Sequence, residues 1–220
     1  MTAVRESAVC LDVTAFYPQG GGQPGDQGKL LGADGEYVVL DTRKEGGDVW
    51  HTLQREPPPI GTAVRGELDW ARRYRLMRYH SALHVLCGVI YQQCGVLVTG
   101  CQMYLERARM DFALEDLGAA RVRQIEEAAN AAIAAALPIR IKFLSRDEVW
   151  QNPDLIRTHA HLLPLEIAEV RVVEIVGLDQ QADGGTHVQS TAEVGAVRIV
   201  KTENKGRINK RLEIVVEGNE

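Results

Sequence analysis

Two short stretches, far apart in the chain, have to meet if either is to make chemical sense. His80 and His84 stand four apart in Arg78-Tyr79-His80-Ser81-Ala82-Leu83-His84-Val85-Leu86. On an α-helix, positions i and i+4 share a face, with Cβ atoms roughly 5–6 Å apart. Two imidazole nitrogens so placed can converge on one metal ion, each at about 2.0–2.1 Å for zinc. Leu76, Leu83, Val85, Leu86 and Ile90 surround the pair and favour a half-buried helix. Two donors hold a metal poorly, so the rest of the site must come from elsewhere. Ala182-Asp183-Gly184-Gly185-Thr186-His187-Val188 offers a carboxylate and an imidazole, again four apart. The glycines between them allow the tight backbone that brings two ligands onto one ion. Joined, the stretches give His80, His84, Asp183 and His187. An HxxxH pair alone is more often a solvated or hydrogen-bonded surface pair; the second cluster is what favours a metal. A zinc-protease reading fails, because Ser81 stands where HExxH needs its glutamate.

The chain has 220 residues, enough for one large or two small domains. Its hydrophobic content of 45% is ample for a core. The net charge of −5 excludes a broad, non-specific nucleic-acid binder but leaves room for a local basic patch. Cys10, Cys87, Cys94 and Cys101 contain no CxxC pair and read as small core residues of a reduced compartment. There is no basic-then-apolar leader and no apolar run of about 18 residues, so a cytoplasmic protein without a membrane span is expected.

Residues 1–71 read as β-structure. Candidate strands at 8–14, 37–41, 49–53 and 63–70, punctuated by glycine and proline, suggest a small barrel or sandwich. Between Phe16 and Gly28 lie five glycines in thirteen residues. No Gly-Lys-Ser/Thr follows, so this is not a P-loop. It is either a hairpin whose turn demands positive φ or a backbone that passes close to a ligand. Arg72, Arg73, Arg75 and Arg78 form a charge run that is either a solvated face or a set of phosphate contacts.

Residues 72–220 mix helix and strand. Helices are expected over 73–93 and 119–137, the second ended by Pro138. Strands are expected over 96–105, 109–113, 139–144 and 170–176, with 195–200 and 211–216 pairing across Asn204, Lys205 and Gly206. Ser145 and Glu148 have capping-box spacing. His159 and His161 fall in an irregular segment; either could be a pocket residue, but a surface-loop position is favoured. Lys201, Lys205, Arg207, Lys210 and Arg211 cluster near the last turn.

Together these motifs resemble the freestanding alanyl-tRNA editing proteins, the AlaX type, relatives of the editing domain of alanyl-tRNA synthetase. The resemblance rests on Phe16-Tyr17-Pro18 with Gly20-Gly21-Gly22-Gln23-Pro24, on His80-Ser81-Ala82-Leu83-His84, on Gly184-Gly185-Thr186-His187-Val188, and on Glu193, Gly195, Lys205 and Gly206. Their order and spacing hold over essentially the whole chain. The glycine-rich N-terminal part resembles the medium-length class. That class implies an α+β fold, with a small N-terminal β-barrel over 1–71 and an α/β-sandwich editing domain of the alanyl/threonyl-tRNA synthetase type over 72–220.

The resemblance implies a metal-dependent aminoacyl-tRNA deacylase. It would act in trans on tRNA(Ala) wrongly charged with serine or glycine, releasing free amino acid and tRNA. His80, His84 and His187 fall on the family's zinc ligands. Asp183 falls where the family usually has cysteine; a carboxylate also binds zinc, at about 2.0–2.2 Å, but is a harder ligand. Zinc would either activate a bound water or orient the ester while another group does so. Thr99 and Gln102 sit at pocket positions, and Gly20, Gly21 and Gly22 would reach the substrate. Arg72, Arg73, Lys205, Arg207 and Arg211 are the expected tRNA contacts. The alternative is a metal-stabilised tRNA-binding module without catalysis, which a closed four-ligand site permits.

Overall fold

The computed structural model describes residues 1–157 and 168–218; His159 and His161 lie outside them. The chain divides into two compact units, Met1–Leu76 and Met77–Glu220. The architecture is mixed α and β, and every sheet is antiparallel.

The first unit is built on one sheet. Its strands are β1 (Ala3–Arg5), β2 (Ala8–Cys10), β3 (Gly28–Gly32), β4 (Gly35–Glu45), β5 (Asp48–Leu53) and β6 (Arg65–Leu68), ordered β1-β2-β5-β4-β3-β6. The expected small barrel is not what forms. β1 and β6 are the two ends of the sheet and do not pair with each other, so the described residues hold an open sheet and no closed barrel. Val9, Phe16, Leu30, Tyr37, Val39 and Leu53 make its core.

The glycine-rich segment forms a two-residue hairpin turn. The backbones of Gly20 and Gln23 exchange hydrogen bonds of 3.1 and 2.8 Å. Gly21 and Gly22 between them have φ of 56° and 80°, the pattern of a type I′ turn. Asp26 anchors the loop. It is 1% exposed, accepts from the Tyr17 N–H, and takes both oxygens' worth of contact from Arg73 Nε at 2.9 and 3.0 Å.

The helix carrying the histidine pair, α1 (Trp70–Cys94), has defined ends. Asp69 caps its start, accepting from the Arg72 N–H at 3.0 Å. Gly95, at φ 65°, closes its end with a bond to the Tyr91 carbonyl, a geometry glycine adopts without a Cβ clash.

In the second unit, β7 (Val98–Met103) and β8 (Ala108–Phe112) join β12 (Ala196–Gly206) and β13 (Asn209–Glu217) in a sheet of order β12-β13-β8-β7. α2 (Ala119–Ala134) buries Ile125, Ala129 and Ile133, one helical stripe. It stops short of the expected 137. Leu137 precedes Pro138, which disfavours helical backbone there, and Ala136 already has φ of 52°. The expected turn at Asn204 to Gly206 also moves, to Arg207 and Ile208, because both strands run longer.

A second sheet, β11-β10-β9, positions the site. Its strands are β9 (Ile139–Ser145), β10 (Glu169–Ile175) and β11 (Asp179–Ala182). The capping box at Ser145 and Glu148 is present and starts α3 (Arg146–Gln151). α3 supplies Val149 to a small core with Leu155, Val170 and Val172 on one face of this sheet. The other face looks towards α1. No disulfide joins any of the four cysteines.

Candidate metal centre

α1 and the loop after β11 deliver the four expected donors to one point. Donor atoms of His80, His84, Asp183 and His187 all lie within 4.8 Å of one another. The ring centroids of His80 and His84 are 5.0 Å apart, as expected for one helical turn. His187 closes on both, at 4.2 and 4.5 Å. Asp183 faces the imidazoles, with Oδ1 3.5 Å from His80 Nε2 and Oδ2 3.1 Å from His187 Nε2.

The rings are held from behind. Ser81 Oγ meets His187 Nδ1 at 3.1 Å and accepts from the Val188 N–H at 3.2 Å. Gln181 Nε2 stands 3.1 Å from His84 Nδ1 and donates to Asp179 Oδ2 at 2.6 Å. His80 bonds to the backbone of Thr186. With Nδ1 of His187 engaged by the Ser81 hydroxyl, which can accept its proton, Nε2 is the nitrogen that His187 has left for an ion. Asp183 is fixed as well. The Gly185 N–H donates to Oδ2 at 2.7 Å, and Arg171 donates to the Asp183 carbonyl at 2.8 Å.

Burial sets the charge state. It pushes His80 down to about 3, helped by neighbouring His187, and pushes His84 well below its ordinary value. Both imidazoles are therefore neutral at pH 7, the form that binds metal. Burial alone would raise the Asp183 carboxyl; the facing His80, His187 and His84 outweigh it and hold it below the usual carboxylate range. The donor set thus includes two neutral imidazoles and one carboxylate. Around a tetrahedral zinc with bonds of about 2.0–2.1 Å, donors stand roughly 3.3 Å apart. The 3.1 and 3.5 Å separations, to the two different oxygens of Asp183, lie near that spacing, and the donor set as a whole lies within 4.8 Å.

The remaining expected residues are placed as follows. Thr99 is exposed and its hydroxyl donates to Asn209 Oδ1 at 2.9 Å. Gln102 donates to the Met103 carbonyl and lies opposite Arg109 on β7. Gly20, Gly21 and Gly22 are in the hairpin turn of the first unit. Arg73 is spent on Asp26 and the Ala15 carbonyl, and Arg72 donates to the Gly25 carbonyl. Arg211 forms a two-pronged pair with Asp111 at 2.6 and 2.8 Å. Lys205 lies 3.5 Å from Glu203, and Arg207 is exposed at the hairpin tip.

Sequence reasoning missed the supports: Ser81, Asp179, Gln181 and Arg171. It also gave no special place to Cys101, whose thiol is pushed up by burial and then by the nearby Asp183 carboxylate. The signal for Ser81 was available, since a serine one residue after His80 lies beside the ligand face. Gln181 and Asp179 sit two and four residues before Asp183, a period-2 pattern that puts them on its face of a strand.

Comparison with known proteins gives these residues a setting. Residues 170–213 match the family described as threonyl and alanyl tRNA synthetase second additional domain, and residues 1–72 match tRNA synthetases class II (A). The alanyl-tRNA editing protein AlaX-M of Methanosarcina barkeri is 42% identical over 210 residues, 93% of this chain and 86% of that protein. AlaX-M of Saccharolobus solfataricus is 39% identical over 212 residues, 95% of this chain and 89% of that protein. The alanine–tRNA ligase of Pyrobaculum neutrophilum is 40% identical over 202 residues, which are 89% of this chain but 22% of the ligase. The fold and site thus define a relative of synthetase editing domains. The chain belongs to the family of alanyl-tRNA editing proteins of the AlaX-M type. No helix among the described residues is long and apolar enough to cross a membrane.

Proposed function

We propose that this protein hydrolyses, in trans, the ester that joins a wrong amino acid, serine or glycine, to tRNA(Ala). The observation that carries the reading is the convergence of His80, His84, Asp183 and His187 in a chain of this family. A synthetase pocket sized for alanine cannot reject the smaller glycine, and serine adds only a hydroxyl. Discrimination on such differences is limited to about 10²-fold, so a second site is needed. A pocket built to hydrogen-bond the serine hydroxyl refuses alanine, because its polar groups would be left unpaired. The reaction breaks an ester with water and needs no ATP. Its setting is the cytoplasm.

Zinc is the proposed cofactor, held through the imidazoles and through Asp183, where it would supply Lewis acidity to the ester. The chain's own residues do the rest. Burial keeps His80 and His84 neutral as donors. Ser81 and Gln181 fix the rings of His187 and His84. Gly185 and Arg171 fix Asp183. Asp183 is also the most open of the four, with its side chain 16% exposed against 6%, 6% and 2% for His80, His84 and His187. Substrate therefore enters from the Asp183 side. Thr99 and Gln102 are proposed contacts for the serine. The editing role is assigned to residues 72–220 and the accessory role to 1–71. Lys205 and Arg207 are the proposed phosphate contacts; at Arg72, Arg73 and Arg211 a phosphate would compete with existing protein partners.

One observation favours a second reading. Four protein donors fill a tetrahedral zinc, which suits a structural site in a tRNA-binding module. Purified protein mixed with serine-charged and alanine-charged tRNA(Ala) separates the two. Loss of serine alone supports editing. Binding of both with neither hydrolysed supports the module.

A further inference from the structure

The sheet face that carries Asp183 and Gln181 continues onto its edge strand, where among the described residues it is exposed. Pairing places Arg171 opposite Phe143 and Val173 opposite Ile141. On the other side Val173 stands opposite Gln181, and the Asp183 N–H bonds to the Arg171 carbonyl. Two rows therefore cross the sheet, Asp183–Arg171–Phe143 and Gln181–Val173–Ile141. Directly opposed residues in antiparallel strands project to the same side. At the β11 end this face is occupied, since Gln181 reaches His84. In the middle, Val173 is fully buried and Arg171 holds Asp183. At the β9 end, Phe143 is 63% and Ile141 53% exposed. Phe143 lies two strand spacings, roughly 9–10 Å, from the metal ligand that is most open to solvent.

We propose that Phe143, flanked by Ile141, is the stacking platform for the terminal base of the RNA substrate. The inference rests on the function proposed above. The terminal nucleotide carries both the scissile ester and a base on one ribose. When the ester is at Asp183, that base must lie within a nucleotide's reach, and an apolar ring on the same face is what lies there. The row itself carries a cation, Arg171, which lies between Asp183 and Phe143. Arg140 and Lys142 alternate with the apolar residues of β9 and project to the other side of the strand, Lys142 being paired with Glu174 at 2.6 Å. A single-stranded end has a π-face and a phosphate at each step, and aromatic rings beside cations are how proteins hold it.

The test is a binding cycle that needs no hydrolysis. An acceptor-stem RNA hairpin with a single-stranded CCA end, and the same hairpin ending in CC, are titrated against the wild type and F143A, F143L and F143W, with anisotropy as the readout. Loss of base stacking costs about tenfold or more in affinity. Wild type and F143W should bind the CCA hairpin about tenfold more tightly than the CC hairpin. F143A and F143L should bind the two within about twofold. Thermal melting checks that each variant is folded, which a largely exposed edge residue permits. Equal CCA-over-CC preference in wild type and F143A overturns the proposal. So does a change in sedimentation of F143A without a change in RNA binding, which would mean that a second copy covers the ledge. Hydrolysis is scored separately. A cycle that behaves as expected in a protein that never deacylates tRNA sinks the editing reading and spares the platform. An additive cycle in an active deacylase does the reverse.

Discussion

Ser81 and His187 are 106 positions apart and meet at 3.1 Å, Oγ to Nδ1. Ser81 is fully buried, and the same oxygen accepts from the Val188 N–H. One hydroxyl thus ties the histidine helix to the ligand loop. Ser81→Ala leaves buried polar groups unpaired, at a cost of about 1–3 kcal/mol. Loss of such a support also weakens metal binding, by about 10–100-fold. Urea unfolding and zinc competition with a chelating dye would measure the two effects. Wild-type zinc affinity in the alanine variant would remove Ser81 from this role.

Gln181 supports His84 in the same way, from the opposite side of the centre. Gln181→Leu keeps much of the volume and removes the hydrogen bond. We expect zinc affinity to fall about 10–100-fold. An unchanged affinity would mean that packing alone orients the ring.

On the proposed reading Asp183 is a ligand and sets metal preference. Asp183→Ala removes one donor and should abolish tight zinc binding, while Asp183→Cys installs a softer one and should shift preference towards zinc over magnesium and manganese. Parallel titrations with the three ions check this. Identical selectivity in the aspartate and cysteine forms would argue against ligation by residue 183.

Arg73 and Asp26 form a buried ion pair within the first unit, with side chains 12% and 1% exposed. Arg73→Ala strands the carboxylate and should cost about 3–5 kcal/mol. If Arg73 served only as a tRNA contact, the denaturation midpoint would not move and only the salt dependence of RNA binding would.

Acid should destabilise the metal-free protein early. His80 is pushed down to about 3 and His84 well below its ordinary value, so in the folded state neither takes up a proton near neutrality. In the unfolded chain both protonate near pH 6.5. Below that pH the unfolded state binds more protons, so stability falls as pH falls, by about 1.4 kcal/mol per pH unit for each histidine. Asp179, raised by burial, works in the opposite direction lower down, in the carboxylate range. The window is therefore about pH 6.5 to 5, where His51, also lowered by burial, adds to the fall. Denaturant midpoints measured across it should drop steadily; a flat profile would place these histidines in water.

How much of this could be read from the chain depends on the kind of signal. His80 and His84 announce themselves by helical spacing, and Asp183 and His187 by glycine-separated ligands. Helix α1 was legible from its apolar surroundings, and the capping box from Ser145 and Glu148. β11 was not. Asp179-Gln180-Gln181-Ala182 has no apolar alternation, because the side chains on its inner face bond to His84 and Arg157 rather than pack in oil. β3 was hidden because Gly28 and Gly32 bound it inside a glycine-rich region. The arginine run was visible, but its partners were not. Asp26 lies far from Arg73 in sequence, and Asp111 from Arg211, and only folding pairs them. The open N-terminal sheet differs from the expected barrel for a related reason, since strand patterns do not encode whether the two end strands meet.

The central claim is that the His80, His84, Asp183 and His187 cluster is a zinc centre that removes serine from tRNA(Ala). The most direct measurement follows the aminoacyl ester of serine-charged tRNA(Ala) with protein as purified, after chelation, and after zinc is returned. The account predicts rapid loss, then none, then rapid loss again, with one zinc per chain regained. Undiminished loss after complete removal of metal would contradict it, as would a zinc-loaded protein that leaves the ester intact.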